Sequence, residues 1–137
     1  MFEVNVPADV EHLDEILEYV SKALNDIGAD AKFNNNIYVA VEEIFVNIAH
    51  YAYPSGEGNV TVSAVVKNNN ITIKFVDSGI PYNPLESADL DTTLSAEERS
   101  IGGLGIFMVK SLMDTMDYTY ENNTNILTIS KQWSGNV

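Results

Sequence analysis

Cysteine is absent from the chain, which excludes disulfides and thiolate metal sites. Long apolar runs are missing as well, since no stretch approaches the roughly 20 residues that a membrane-spanning helix needs. Positive charge is scarce: seven Lys and Arg stand against twenty Asp and Glu, for a formal charge of −13. Such a surface repels nucleic acid and anionic membranes, so a polyphosphate ligand would need a cation to accompany it. The opening, Met1 to Pro7, lacks the charged-then-apolar layout of an export signal, and a cytoplasmic protein is expected. What the chain does have is apolar content, 45% of 137 residues, enough for the core of a single domain over residues 1–137. No internal repeat, low-complexity tract or linker interrupts it.

Phe2, Val4 and Val6 alternate with Glu3 and Asn5, the pattern of a short, half-buried edge strand that stops at Pro7. From Asp9 to Ile27 the apolar positions Val10, Leu13, Leu17, Val20, Leu24 and Ile27 recur at spacings of three and four. This predicts an amphipathic helix ended by Gly28. A second helix is expected from about Phe33 to Tyr53, because Pro54 disfavours helical geometry in the residue ahead of it. Asn59 to Lys67 and Ile71 to Val76 are β-branched runs around Asn68-Asn69-Asn70, a hairpin in which asparagine accepts positive φ. The stretch from Asp77 to Gly105 is irregular, carries Pro81 and Pro84 and turns acidic from Glu86 to Glu98. A loop of that length in a small domain is usually functional, and it reads as a lid over about 80–105. A short helix from Ile106 to Met116 and a hairpin of Tyr118 to Tyr120 with Ile126 to Trp133, turning at Asn122-Asn123, complete the chain. The mix predicts an α+β fold: a two-layer α/β sandwich whose mixed, mostly antiparallel sheet carries its helices on one face.

Three groups of residues carry chemistry. In the second helix Glu43 and Asn47 lie one turn apart, on one face of a stretch otherwise apolar enough to be buried. Burying a carboxylate and an amide without partners costs several kcal/mol, which points to a ligand or a metal. A glutamate can act as a general base, and an amide oxygen is a ligand for a hard cation such as Mg²⁺. The alternative is a polar stripe that reaches solvent, with His50 continuing it. Asp77-Ser78-Gly79 ends the strand Ile71 to Val76; a buried carboxylate there can accept a hydrogen bond from the exocyclic amino group of a base such as adenine, and Gly79 lets a ring approach the backbone. Asp-x-Gly is also an ordinary turn. Gly102-Gly103-Leu104-Gly105-Ile106-Phe107-Met108-Val109 is a glycine-rich loop running into a helix, an arrangement that aims backbone N–H groups at phosphate. It lacks the Gly-Lys-Ser/Thr of a P-loop and does not follow a strand as a dinucleotide fingerprint should. Arg99 and Lys110 flank it, either within reach of a terminal phosphate.

Taken in order, Glu43-x-x-x-Asn47, Asp77-x-Gly79 and Gly103-x-Gly105 resemble the N, G1 and G2 boxes of the GHKL (Bergerat-fold) ATPase and kinase superfamily. Within it the chain looks most like the stand-alone anti-sigma-factor serine/threonine kinases of bacteria, nearly end to end. The resemblance implies ATP and Mg²⁺ as cofactors, Glu43 as catalytic base, Asn47 as Mg²⁺ ligand and Asp77 as adenine reader with Gly79 beside it. It further implies Gly103, Leu104 and Gly105 as the phosphate loop, Arg99 near the phosphates and Thr128 supporting the adenine contact. Two departures stand out: Ser100-Ile101-Gly102 separates Arg99 from Gly103, and His50 falls three residues after Asn47 rather than at the family's spacing. A sensor histidine kinase needs a separate phosphoacceptor module and a gyrase-type ATPase a transducer domain, and neither fits in 137 residues. The function so implied is phosphorylation of an anti-sigma antagonist protein, with a sigma factor as a further partner and a homodimer within the family's range. The rival reading is an ATP-binding module without catalysis, whose lid switches partner binding.

Overall fold

The computed structural model describes residues 3–54, 56–85 and 100–135, with the side chains of 100–104 left aside. Asp9 opens the helical layer by accepting a hydrogen bond from the Glu11 amide at 3.0 Å, which caps a tight 3-10 turn over Val10–His12. Helix α1 follows at Leu13–Leu24 and buries Ile16, Val20 and Leu24. Asp30 caps α2, Ala31–Tyr51, by accepting from the Phe33 amide at 2.9 Å. Strand β1 is Glu3–Pro7, β2 Asn59–Lys67 and β3 Asn70–Asp77. Helix α3 spans Ser100–Leu112, and β4, Thr115–Glu121, with β5, Thr124–Gln132, closes the described chain.

The sheet order is β1-β2-β3-β5-β4, and every neighbouring pair is antiparallel. Both hairpins turn on Asn-Asn, with φ of 54° and 62° at Asn68 and Asn69 and of 54° and 61° at Asn122 and Asn123. Positive φ at both central residues matches the right-handed twist of the strands, which is why asparagine serves there. One sheet face is apolar along Val60, Val62, Ile71, Ile73, Phe75, Leu127 and Ile129, and α1, α2 and α3 bury Ile16, Ile37, Ile44, Phe45, Ile106 and Val109 into the same core. The other face carries partly exposed Thr61, Ser63, Thr72, Thr128 and Ser130. This is the α+β sandwich with helices on one face that the sequence predicts.

Both ends of α3 differ from expectation. The glycine-rich segment is not a loop ahead of a helix: Gly102, Gly103, Leu104 and Gly105 lie inside α3, which begins at Ser100. Each interior glycine costs a helix up to about 1 kcal/mol, yet Ile106, Val109 and Met113 bury one side of this segment in the core, and tertiary packing overrides the propensity. At its other end the segment stops short of Met116, because the Asp114 amide donates to the Ser130 carbonyl at 2.9 Å and Met116 pairs with Ile129 as part of β4. Of the lid expected over about 80–105, residues 86–99, with Arg99 among them, lie outside those described.

Candidate functional site

The period-two apolar stripe on the inner face of the sheet breaks at one end. Asp77 and Asn125 stand opposite one another in the β3–β5 register, both inward and both buried, at 4% and 6% exposure. Charged and amide groups at such positions need partners, and here they partner each other. The Asn125 Nδ2 donates to Asp77 Oδ1 at 2.9 Å, and the Gly79 amide donates to the same oxygen at 2.9 Å. Burial pushes the Asp77 carboxyl above the ordinary range, against the opposing pull of these two donors.

Asn125 is a hub that the sequence reading missed. Besides Asp77 it donates to the Ile80 carbonyl at 2.8 Å, while its Oδ1 accepts from the Tyr82 amide at 3.1 Å and from the Tyr118 hydroxyl. A signal for it exists in the sequence, since asparagine is disfavoured in strands and position 125 shares the inward period of Leu127 and Ile129. Thr128, expected near the base, belongs to the opposite alternation: it pairs with Lys74 and Asp117 on the helix-free face. The structure does not bring it to the pocket, because one step along a strand reverses the face.

Between this polar end and the last turns of α2 lies a pocket lined by Ile44, Asn47, Ile48, Tyr51 and Ala52 from the helix, and by Asp77, Ile80, Tyr82, Pro84, Tyr118, Asn125 and Leu127 from the sheet side. Tyr51 and Tyr82 stack with centroids 5.9 Å apart and planes at 28°. The cavity is about 30 Å³, room for a water or two, so a larger ligand has to widen it. Gly79 does provide a close approach, but to the protein itself. A Cβ built there would lie 2.1 Å from the Ala52 carbonyl oxygen, which also accepts from the Ile80 amide at 2.9 Å. The glycine lets β3 run hard against the end of α2.

Asn47 is 5% exposed, and its Oδ1 is buried with no hydrogen-bond partner among the described residues. An amide oxygen buried and unpaired among the described residues suits a hard cation, which prefers oxygen donors. The described residues contain no group of three or more His, Cys, Asp or Glu that could hold a metal, so an ion here would take one protein oxygen and complete its shell with phosphate and water. Mg²⁺ bound with a nucleotide fits that donor set.

Glu43 sits one turn earlier on α2, half-buried, outside the pocket wall and against α3. A Cβ built on Gly105 would fall 2.2 Å from Glu43 Oε2, so the missing side chain of Gly105 is the space that the carboxylate occupies. Burial, and then the charge of Glu42, raise the Glu43 pKa. A carboxyl tuned upward is a better proton acceptor near neutrality than an ordinary one. His50 is exposed, with its ring edge-on to Tyr51, in keeping with helix surface. Asn47 and Asp77 thus meet at one pocket, Gly79 packs on the Ala52 backbone beside it, Glu43 and Gly105 meet one turn away, and Gly103 and Leu104 belong to the same helix α3.

Comparison with known proteins bears on the fold and the family. The model of the histidine kinase-like ATPase domain family matches residues 6–131. The serine-protein kinase RsbW of Listeria monocytogenes is 27% identical over 122 residues, covering 80% of this chain and 78% of that protein. RsbW of Bacillus mycoides is 23% identical over 129 residues, covering 91% and 81%. Among solved structures, the RsbU and RsbW domains of a Mycobacterium tuberculosis protein superpose with a TM-score of 0.65 at 15% identity over 96% of this chain, which spans 32% of that one. The SiaB-SiaC complex of Pseudomonas aeruginosa gives 0.61 at 15% identity, covering 96% and 89%, and the catalytic domain of histidine kinase ThkA gives 0.57 at 11%, covering 96% and 97%. By its fold, its motif order and a match over nearly its whole length, the chain belongs to the histidine kinase-like ATPase domain family of the GHKL superfamily.

Proposed function

We propose that the protein is a Mg²⁺-ATP-dependent serine/threonine protein kinase of the anti-sigma-factor type. The observation that carries the reading is the buried, unpartnered Asn47 oxygen, one turn from Glu43 and in the same pocket as Asp77. Asp77 would accept from the exocyclic amino group of adenine, and Asn47 would hold the cation that travels with the phosphates. Mg²⁺, when bound, would neutralise charge on the phosphoryl oxygens. Glu43 would take the proton from the partner's hydroxyl as the new O–P bond forms, while the bond from the γ-phosphorus to the bridging oxygen breaks and ADP leaves. Helix α3, with Gly103, Leu104 and Gly105, would lie at the phosphates, and the part of the expected lid ahead of it, with Arg99, would close on them. The similarity to serine-protein kinases named RsbW supports a protein hydroxyl as acceptor, and the SiaB-SiaC complex supports another protein as partner. The expected substrate is an anti-sigma antagonist protein, with a sigma factor as the regulated partner, homodimerisation within reach and the cytoplasm as location.

One observation favours a second reading, a nucleotide-binding module without transfer. The cavity of about 30 Å³ under the Tyr51–Tyr82 stack must open for a nucleotide, so binding itself would rearrange the surface around Tyr82. Glu43→Gln separates the two. In the kinase, ATP still binds and transfer to a partner falls by about 10²–10⁴. Transfer equal in both proteins removes Glu43 from the chemistry, and transfer in neither leaves the module.

A further inference from the structure

Four close hydrogen bonds of Asn125 engage every donor and acceptor its amide possesses, and Nδ2 also lies 3.5 Å from the Gly79 carbonyl oxygen. Nδ2 has two protons, given to Asp77 Oδ1 and the Ile80 carbonyl, and Oδ1 has two lone pairs, taken by the Tyr82 amide and the Tyr118 hydroxyl. Three consequences follow from saturation. The amide cannot flip, because exchanging N and O would set Nδ2 against the Tyr82 amide and Oδ1 against the Asp77 carboxylate. It has no capacity left to bind a ligand directly. Its hold on Asp77 occupies Oδ1, which the Gly79 amide also reaches, so that neither donor touches Oδ2.

We infer that Asn125 is the positioning residue that sets base selectivity in this pocket. It fixes Asp77 so that the carboxylate offers one remaining acceptor oxygen to an incoming base, and it ties the backbone at Ile80 and Tyr82 across the same site. A single acceptor oxygen, held in place, matches a base with an exocyclic amino donor at that edge, as in adenine. A keto oxygen in the same place, as in guanine, meets the carboxylate lone pairs and is rejected. Asn125 therefore couples recognition of the base to the strap that carries Tyr82 onto Tyr51. The inference rests on the proposed nucleotide-binding reading and deepens it.

The test is direct titration with ATP and with GTP, each with Mg²⁺, of the wild type and of Asn125→Asp, Asn125→Ser and Tyr118→Phe, with thermal melts to confirm folding. Asn125→Asp keeps both acceptors and turns the donor toward Asp77 into a second anion. It should weaken ATP about tenfold to a hundredfold, the range for a hydrogen bond to a charged group, while GTP changes little and the ATP-to-GTP ratio falls toward one. Asn125→Ser should do the same more mildly. Tyr118→Phe removes one hydroxyl from a partly buried ring, folds on any account, and should cost ATP about fivefold by loosening the amide. An unchanged ATP-to-GTP ratio in the variants that fold, Tyr118→Phe included, overturns the inference while nucleotide binding stands. A wild type that binds neither nucleotide sinks the functional reading itself, and one that binds both equally sinks the selectivity.

Discussion

Gly105→Ala separates stability from chemistry. Position 105 is interior to α3, where alanine in place of glycine should gain the helix about 0.5–1 kcal/mol. The added methyl falls 2.2 Å from Glu43 Oε2 and 3.1 Å from its Cδ, so the carboxylate must retreat by about 1 Å to reach ordinary contact. That retreat is inexpensive for folding, because the atoms in the way are the free end of a flexible, half-buried side chain. It is costly for chemistry, since a displacement of about 1 Å in a catalytic group can lower a rate by about 10². The expected result is a melting temperature equal to wild type or a few degrees higher, together with ATP turnover lowered roughly ten- to a hundredfold. The double variant with Glu43→Gln should be no slower than Glu43→Gln alone, because both changes remove one function. Full additivity, or turnover at the wild-type rate in a folded Gly105→Ala protein, would refute the idea that the glycine makes room for the base.

Gly79→Ala is expected to behave in the opposite way, costing about 1–3 kcal/mol in denaturant melts, because its methyl meets the Ala52 backbone, which cannot step aside; a melt like wild type would show that β3 has slack there. Asp77→Asn concerns pH. The folded carboxyl has a raised pKa, so the folded state holds its proton more tightly than the unfolded chain and wild-type stability falls as pH rises from the unfolded pKa through the folded one. The variant, which keeps an acceptor for Asn125 and Gly79, should gain on wild type as pH rises from the unfolded pKa through the folded one while losing ATP binding; a stability difference that does not change with pH contradicts this. Glu42→Gln removes the second cause of the raised Glu43 pKa, so the acid limb of a turnover profile should move to lower pH, and a stationary limb would place the titration elsewhere.

Much of the architecture was legible because it follows from periodicity. The β1 alternation, the β2–β3 and β4–β5 hairpins with their Asn-Asn turns, and the span of α2 within two residues all came from patterns that the backbone obeys locally. The stripe of the first helix is legible as well: Val20 and Leu24 are buried, and Leu13, Leu17 and Ile27 pack against the core. Val10, half exposed in the tight turn capped by Asp9, falls outside it, and Ile16, adjacent to Leu17, adds a fully buried side chain to the same face. The glycine run was read as a loop since propensity is local, whereas the burial that holds α3 together is not. At the site, Asn47 and Asp77 were visible as polar residues in apolar surroundings. Asn125 was equally so but lay in a strand assigned only by its apolar members. What no spacing could reveal was that Gly105 would stand over Glu43, a contact between residues more than sixty positions apart.

The buried amide at the start of β5 borrows its aim from apolar neighbours. Asn125 shares the inward alternation of Leu127 and Ile129, and the strand that carries all three is held on one side by β3 and on the other by β4. A slip of one residue would turn the three out together, which the core resists, so an extra residue at the Asn122-Asn123 bend should bulge into solvent and leave the amide in place. Precision at the polar end of this sheet therefore depends on aliphatic side chains two and four residues away, and a change that thins the core there should blur recognition without altering any group that meets a base.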